Sequence, residues 1–458
     1  MTILIKRWEK FTDNRIMRIF LAPIVLFSLF RVVLDLSYRF LLSPLYGYMG
    51  FTYSFNLTRW LGILFISILT YYAVSAPNKT ISSLFFELLL WFMYGPYASY
   101  YSLSGNETTF FFYLTICLVI MRLMLSLPWR LLISKVLRPF SFLKSWVHRN
   151  QVVLRRLFFW GPVLFCLAWT ATSIVILIKY TDFSNWRSAL DVLRVYEIRS
   201  LQSRPSWTTY FLSTQSSIIN IFMVCTLIYR KKYLPISFFI VTQLLFYFSL
   251  GNKSDLMAPI MCIFVYFVGI TQKPSSLVGV VMTVGTFSVT MFAFISSYGS
   301  TLYSLFRRMF FVQAQLSYNY FSFFTTHNKL FFSEGRLGRL FHTVYPYPIR
   351  SGRLIFGNSL GSVNGSANCM FLTSGFADMG FPGMVLTTLV LCFILIVLDR
   401  TTAHQPLWFP ITVLSLSFVS LINTNLFTAL GTHGMLIAIV LLTSFGAYFR
   451  LMKYKEAG

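Results

Sequence analysis

Acidic residues are scarce in this 458-residue chain: Asp and Glu number 13 together, against 38 Lys and Arg. Charged residues of both signs make up only 11%. Water-soluble domains carry roughly 25%, so an ordinary soluble enzyme is excluded. Histidine is also rare, with five copies. The six cysteines are Cys117, Cys166, Cys225, Cys262, Cys369 and Cys392; none forms a CxxC pair and five lie inside apolar runs. They read as small core hydrophobes, not as a disulfide framework or a metal site. The chain also lacks a Walker motif, a GxSxG turn, any 20–50-residue repeat and any low-complexity linker. The basic start leads into a long apolar stretch without a small-residue cleavage pattern, so no cleavable signal is expected.

What is abundant is apolar and aromatic. Hydrophobic residues make up 56% and Phe alone occurs 50 times, which excludes disorder. A formal charge of +25 would suggest nucleic acid in a soluble protein. Here the apolar runs are too long for that, and no nucleic-acid partner is expected. A helix needs about 20 apolar residues to cross a bilayer, and twelve segments qualify or come close. They are 16–36, 57–76, 81–101, 109–127, 157–178, 213–229, 234–250, 256–271, 277–297, 379–398, 408–424 and 430–449. The seventh and eighth are short and separated only by residues 251–255, so they read as a tight helical pair or a broken, re-entrant element. The expected fold is an all-α, polytopic transmembrane bundle forming one integral membrane domain over 1–458.

Lysine and arginine in the short loops set orientation. Lys6, Arg7, Lys10, Arg15 and Arg18 precede the first segment; Arg130, Lys135, Arg138, Lys144, Arg149, Arg155 and Arg156 fill an acid-free stretch at 128–156. Arg230, Lys231 and Lys232 follow, and Arg450, Lys453 and Lys455 close the chain. With twelve passes all of these fall on one side, the cytoplasm, with both termini. The opposite face carries two long loops, 179–212 and 298–378, with 12 cations against 5 acids. Long loops escape the positive-inside bias, but escape alone predicts neutrality. A cationic outer face predicts an anionic ligand at the outer leaflet.

The second loop alternates aromatic runs with Arg and Gly, and short amphipathic helices at the membrane surface are expected in it. An interfacial cap with snorkelling arginines is the simpler alternative. Guanidinium forks suit a diphosphate because they make paired hydrogen bonds to phosphate oxygens. Arg350 and Arg353 are three apart, as are Arg336 and Arg339; the first loop offers Arg194, Arg199 and Arg204. If a sugar hydroxyl is to attack, a general base is needed. His327, His342 and Glu334 are the candidates, with Asp378 at the loop's end and His433 as further options. Inside the apolar segments, Arg31 and Asp35 are four apart on one helical face and predict an intrahelical pair. Glu87 is expected to find Arg122 on a neighbouring helix. Paired acids are common in the first external loop of metal-using membrane sugar transferases, and residues 37–57 contain none; no metal or other cofactor is expected.

Three stretches, together with the placement of the long loops, carry a resemblance. They are 251–254 (GNKS), 195–199 (VYEIR), and 368–371 (NCMF) continuing to 375–383 (GFADMGFPG). In these the chain resembles the bacterial oligosaccharide repeat-unit polymerases of the Wzy type, which build O-antigen and capsule chains. The likeness is one of topology over most of the length more than of motif. An Arg-x10-Gly pattern found in some members fits Arg350 to Gly361 but fails in the glycine-free first loop. The resemblance implies a bacterial inner-membrane glycosyltransferase working at the periplasmic leaflet. Its substrates would be glycans on undecaprenyl diphosphate, with membrane lipid as surroundings and a chain-length regulator protein as a further partner. Arg194, Arg199, Arg204, Arg336, Arg339, Arg350 and Arg353 would hold the diphosphate. An O-antigen ligase or a lipid-linked oligosaccharide flippase are the alternatives.

Overall fold

The structure, a computed structural model, describes residues 22–75, 80–127, 150–180, 205–250, 253–296, 299–360 and 365–456. Every regular element among them is helical. In chain order these are α1 Pro23–Ser37, α2 Leu57–Val74, α3 Ile81–Leu89, α4 Gly95–Leu103, α5 Thr109–Ser126, α6 Gln151–Tyr180, α7 Ser206–Thr214, α8 Asn220–Tyr229, α9 Ile236–Leu250 and α10 Lys253–Ile270. Then follow α11 Pro274–Ile295, α12 Gly299–Thr326, α13 Arg336–Phe341, α14 Ser351–Leu360, α15 Phe371–Met379, α16 Phe381–Thr401, α17 Trp408–Asn423, α18 Leu426–Gly431 and α19 Met435–Glu456. Single π-helical turns at Tyr38–Leu42, Leu90–Tyr94 and Gln215–Ile219 continue α1, join α3 to α4 and join α7 to α8.

Among the described residues seven helices are long and apolar enough to cross a membrane: Leu57–Val74, Thr109–Ser126, Gln151–Tyr180, Trp207–Tyr229, Pro274–Ile295, Phe381–Thr401 and Met435–Met452. Ile236–Phe248, Ala258–Ile270 and Trp408–Asn423 are shorter apolar helices. Their outward faces are greasy: Phe65 is 67% exposed, Ile178 68% and Phe393 64%. Apolar patches of that extent belong against lipid, so this is a helical membrane protein. α6 shows the sequence logic. Its apolar middle is bracketed by Arg155 and Arg156 at one end and Lys179 at the other, and long cationic side chains reach from such positions to the headgroup level.

The helices fall into two compact units: 1–127 with 271–394 and 421–426, and 128–270 with 395–420 and 427–458. In the first, the fully buried Trp91 packs its ring against Phe27, Phe30 and Tyr71, with centroids 5.3, 5.2 and 5.9 Å away. Gly279 admits this cluster to α11: a Cβ there would lie 2.9 Å from Leu26 Cδ1 and 3.1 Å from Trp91 Cζ2. Lipid tails are as apolar as these side chains, so close packing and interhelical hydrogen bonds hold the helices together. α15 and α16 meet the same way, at glycines. A Cβ on Gly375 would come 2.6 Å from the Gly383 carbonyl, and Gly380 between them turns the chain at φ +69°. In the second unit, Gln215 in its π turn donates to Thr170 Oγ1 (3.0 Å) and Asn220 Oδ1 (2.7 Å), and Asn220 donates to Gln243 Oε1 (2.7 Å). This buried network ties α6, α8 and α9. The tight pair expected at 234–271 appears as α9 and α10, which contact each other.

Buried charges partly follow expectation. Arg31 and Asp35 form the predicted pair, Nη1 to Oδ1 at 2.6 Å. Glu87 departs from it: it accepts from Tyr71 Oη (2.5 Å) and Trp91 Nε1 (2.8 Å), not from Arg122. Both bonds fall on Oε1; Oε2 is buried without a hydrogen-bond partner among the described residues.

The 298–378 segment also departs from the expectation of short surface helices alone. α12 has 28 residues, about 42 Å at 1.5 Å per residue, and its aromatic face is buried. Tyr303 shares a hydrogen bond with Ser37, the last residue of α1 (2.7 Å). Tyr318 meets Tyr101 in the last turn of α4 (6.1 Å), and Phe321 meets Phe110 in the first turn of α5 (5.3 Å). The helix also reaches further in: Phe310 meets Phe30 of α1 (6.1 Å) and Phe92 of the turn joining α3 to α4 (5.9 Å), and Tyr97 of α4 donates to the Gln313 carbonyl (3.0 Å). α12 is therefore packed against α1, α4 and α5 in the first unit.

Candidate functional site

The far end of α12 carries the predicted residues that come together. The last turn is aromatic, and the His327 ring stacks on Phe323 at 3.9 Å with planes 10° apart. His327 Nδ1 lies 2.9 Å from the Phe323 carbonyl oxygen and 2.9 Å from Thr326 Oγ1. A carbonyl can only accept, so this contact is a hydrogen bond in the tautomer that carries the proton on Nδ1; the Thr326 hydroxyl shares the same carbonyl at 3.2 Å. In that tautomer Nε2 keeps its lone pair, and the side chain is exposed. That is the tautomer a general base requires. Tyr347 covers the same aromatic turn, 5.8 Å from Phe323 and 6.1 Å from Phe324, and its hydroxyl donates to the Asn328 carbonyl at 2.6 Å.

The loop after α12 is held to α15 by backbone. Leu330 N–H donates to the Ala377 carbonyl (3.0 Å), Phe331 N–H to the Asp378 carbonyl (3.0 Å) and Phe332 N–H to Asp378 Oδ1 (3.0 Å). Phe331 and Phe332 sit at φ +50° and +60°, a left-handed region costly for aromatic residues; these three bonds hold them there. Burial pushes the Asp378 carboxyl up to about 7; the Phe332 N–H opposes this and the Glu334 charge adds to it. Lys329 donates to the Phe324 carbonyl and lies 4.1 Å over the Phe376 ring, and burial lowers its ammonium from the usual range.

Glu334 closes the other side. It accepts from the Ser351 N–H (3.2 Å) and from the Ser351 hydroxyl. The carboxylate thereby caps α14, where unpaired N–H groups and the helix dipole favour negative charge. Arg350 and Arg353 stand on that first turn, since the Arg350 carbonyl accepts from the Arg353 and Leu354 N–H groups at 3.0 Å each. Both guanidinium groups are exposed. The Arg350 charge reaches Tyr345, whose hydroxyl donates to the Ile349 carbonyl at 3.0 Å. α14 is docked on α12 by Asn319 to Ser359 (2.9 Å) and on the stretch before α15 by the Ala367 N–H to the Gly352 carbonyl (2.8 Å); Tyr320 of α12 donates in turn to the Ala367 carbonyl (3.1 Å). A Cβ on Gly352 would fall 2.5 Å from Ser366 Oγ, so this close approach needs glycine.

The site thus gathers His327, Glu334, Arg350 and Arg353 with Tyr345, Tyr347 and Asp378. His342 and Arg339 sit apart on α13, both exposed, with His342 in the left-handed turn that ends the helix at φ +52°. Arg336 opens α13, and its side chain lies outside the described ones. Arg194, Arg199 and Arg204 lie outside the described residues altogether. His433 belongs to the second unit, where its carbonyl accepts from Ser217. Tyr347 and Lys329 escaped sequence reasoning; the only hint was the density of aromatic residues around them. Among the described residues no three His, Cys, Asp or Glu side chains gather closely enough to hold a metal ion. No family model, curated protein or solved structure matches the chain.

Proposed function

We propose that the chain is a glycosyltransferase that polymerises oligosaccharide repeat units carried on undecaprenyl diphosphate, building O-antigen or capsular polysaccharide. In this reading it crosses a bacterial inner membrane twelve times with both termini in the cytoplasm, and α12 to α15 face the periplasm. The observation that carries it is His327, whose Nδ1 is tied to the Phe323 carbonyl so that Nε2 is free to accept a proton. Aromatic faces beside it suit sugar rings, and Arg350 and Arg353 on a neighbouring helix turn suit a diphosphate.

Nε2 takes the proton from the acceptor hydroxyl as that oxygen bonds to the anomeric carbon of the donor. The bond from that carbon to the diphosphate oxygen breaks, and the lipid diphosphate leaves with the electron pair. Arg350 and Arg353 stabilise the charge that develops on it. The first-loop arginines Arg194, Arg199 and Arg204 would hold the second lipid carrier, and a chain-length regulator protein would set when extension stops.

Glycan ladders from a complemented deletion strain test this. His327→Ala should lower polymer yield by about 10²–10⁴-fold, the usual worth of a general base, while His342→Ala leaves it intact. Arg350→Ala with Arg353→Ala should shorten or abolish the ladder. Full ladders from both the His327 and the double arginine variant overturn the reading. In the deletion strain, single repeat units on the lipid A core indicate a polymerase. Full chains left on the carrier indicate a ligase.

A further inference from the structure

At the other end of α12 a second cationic site stands in the first unit. Arg307 is only 7% exposed and pairs with no carboxylate among the described residues. Its guanidinium lies 4.0 Å over the Tyr46 ring, with Nη1 2.7 Å from the Met49 sulfur. Its Nε is buried without a hydrogen-bond partner among the described residues. Buried guanidinium groups are normally paired, because removing the charge from water costs several kcal/mol. A thioether and a phenol ring offset only part of that.

Two further arginines reach the same ten-residue stretch, 46–55. Arg39 lies 5.8 Å over the Tyr53 ring and 5.2 Å over Phe40, and Arg59 donates to the Ser54 carbonyl and, through Nε, to the Ser102 carbonyl at 3.1 Å. Gln315 of α12 donates to the Met49 carbonyl, and Gly50 takes φ +91° beside it, so the stretch is fixed against α12. No acid occurs between residues 36 and 58, and the nearest, Asp35, is occupied by Arg31, Trp60 and Ser99. The rim is aromatic and outward: Tyr48 is 78% exposed and Phe55 51%. Amphipathic rings with guanidinium groups among them mark the headgroup level of a bilayer.

We propose that Arg307, with Arg39 and Arg59 reaching the same 46–55 stretch, forms a binding site for the phosphate of a membrane lipid. Guanidinium donors supply the paired hydrogen bonds that a phosphate accepts, and the exposed rings lie along the upper acyl chain. The site does not depend on the transferase reading, because it uses none of the residues assigned to that reaction.

Native mass spectrometry of the full-length protein released from nanodiscs tests it, with phosphatidylglycerol and phosphatidylcholine of matched acyl chains. Phosphatidylglycerol should be retained several-fold over phosphatidylcholine, and Arg39→Gln with Arg59→Gln should lower its retention about tenfold, in line with two lost charge-assisted hydrogen bonds. Arg307→Gln should abolish the preference. If that variant does not fold, the Arg39/Arg59 double variant decides alone. Equal retention of both lipids by the native protein, or an unchanged preference in the double variant, overturns the proposal. Inorganic pyrophosphate is the second probe: binding to lipid-free protein as strongly as the lipid would assign the site to a soluble phosphate compound and overturn the lipid assignment.

Discussion

Both oxygens of the Glu334 carboxylate are taken by one residue, Ser351: Oε1 accepts its N–H at 3.2 Å and Oε2 its hydroxyl. A side chain 17 positions upstream thus does what an N-cap residue usually does locally. Glu334→Ala should destabilise by about 1–2 kcal/mol, the typical worth of a lost cap. Limited proteolysis would then cut more readily between residues 327 and 360. Glu334→Gln keeps one acceptor and should behave nearly as the native protein. A Gln variant that melts normally yet makes no polymer would give Glu334 a part in the chemistry.

Asp378 should make stability depend on pH. Its carboxyl is raised from 3.8 to about 7 by burial, so the folded protein holds the proton more tightly than the unfolded chain. The stabilisation is full below about pH 4 and is lost as pH rises through 7. Asp378→Asn is neutral at every pH and still accepts the Phe332 N–H. Thermal melts in detergent at pH 5 and pH 8 should therefore show a native protein that weakens at pH 8 and an Asn variant that does not. Parallel pH dependence in the two proteins would remove Asp378 as the cause.

The Arg31–Asp35 pair is deeply buried, and Asp35 also accepts from Trp60 Nε1 at 2.9 Å and from Ser99. Asp35→Ala leaves the guanidinium unpaired and should cost about 3–5 kcal/mol. Membrane expression level and melting temperature report this. Arg31→Met combined with Asp35→Leu should recover much of the loss, because no charge is then stranded. If the double variant is no better than the single, the pair's hydrogen bonds to Trp60 and Ser99 matter more than its charge.

Orientation is testable by reporters that fluoresce or fold on one side only. Fusions near Ala189 and near Glu334 should both report the periplasm, and one after Lys232 the cytoplasm. A cytoplasmic signal at Glu334 would move the whole α12–α15 layer to the wrong side for glycans on the outer leaflet.

Helix formation was legible in the sequence because it is local. Each of the twelve apolar segments is helical over most of its described length, since a run of apolar side chains in lipid must satisfy its own backbone. The Arg31–Asp35 pair was legible for the same reason: a separation of four sets two side chains on one face. The grouping of the site was not. His327, Tyr347 and Arg350 are joined through Phe323, Tyr345 and Ser351, and Glu334 finds Ser351 across a turn whose path no local pattern encodes.

By itself, then, the sequence determined a helical membrane chain with cations gathered at its helix ends, because composition and period act over a few residues. The tertiary structure alone decided that α12 packs against α1, α4 and α5, that Glu87 meets Tyr71 and Trp91, and that Arg307 is buried among rings with no acid paired to it among the described residues. Those outcomes depend on which helices pack side by side, and that is settled by shape at contacts between residues as far apart as Ser37 and Tyr303.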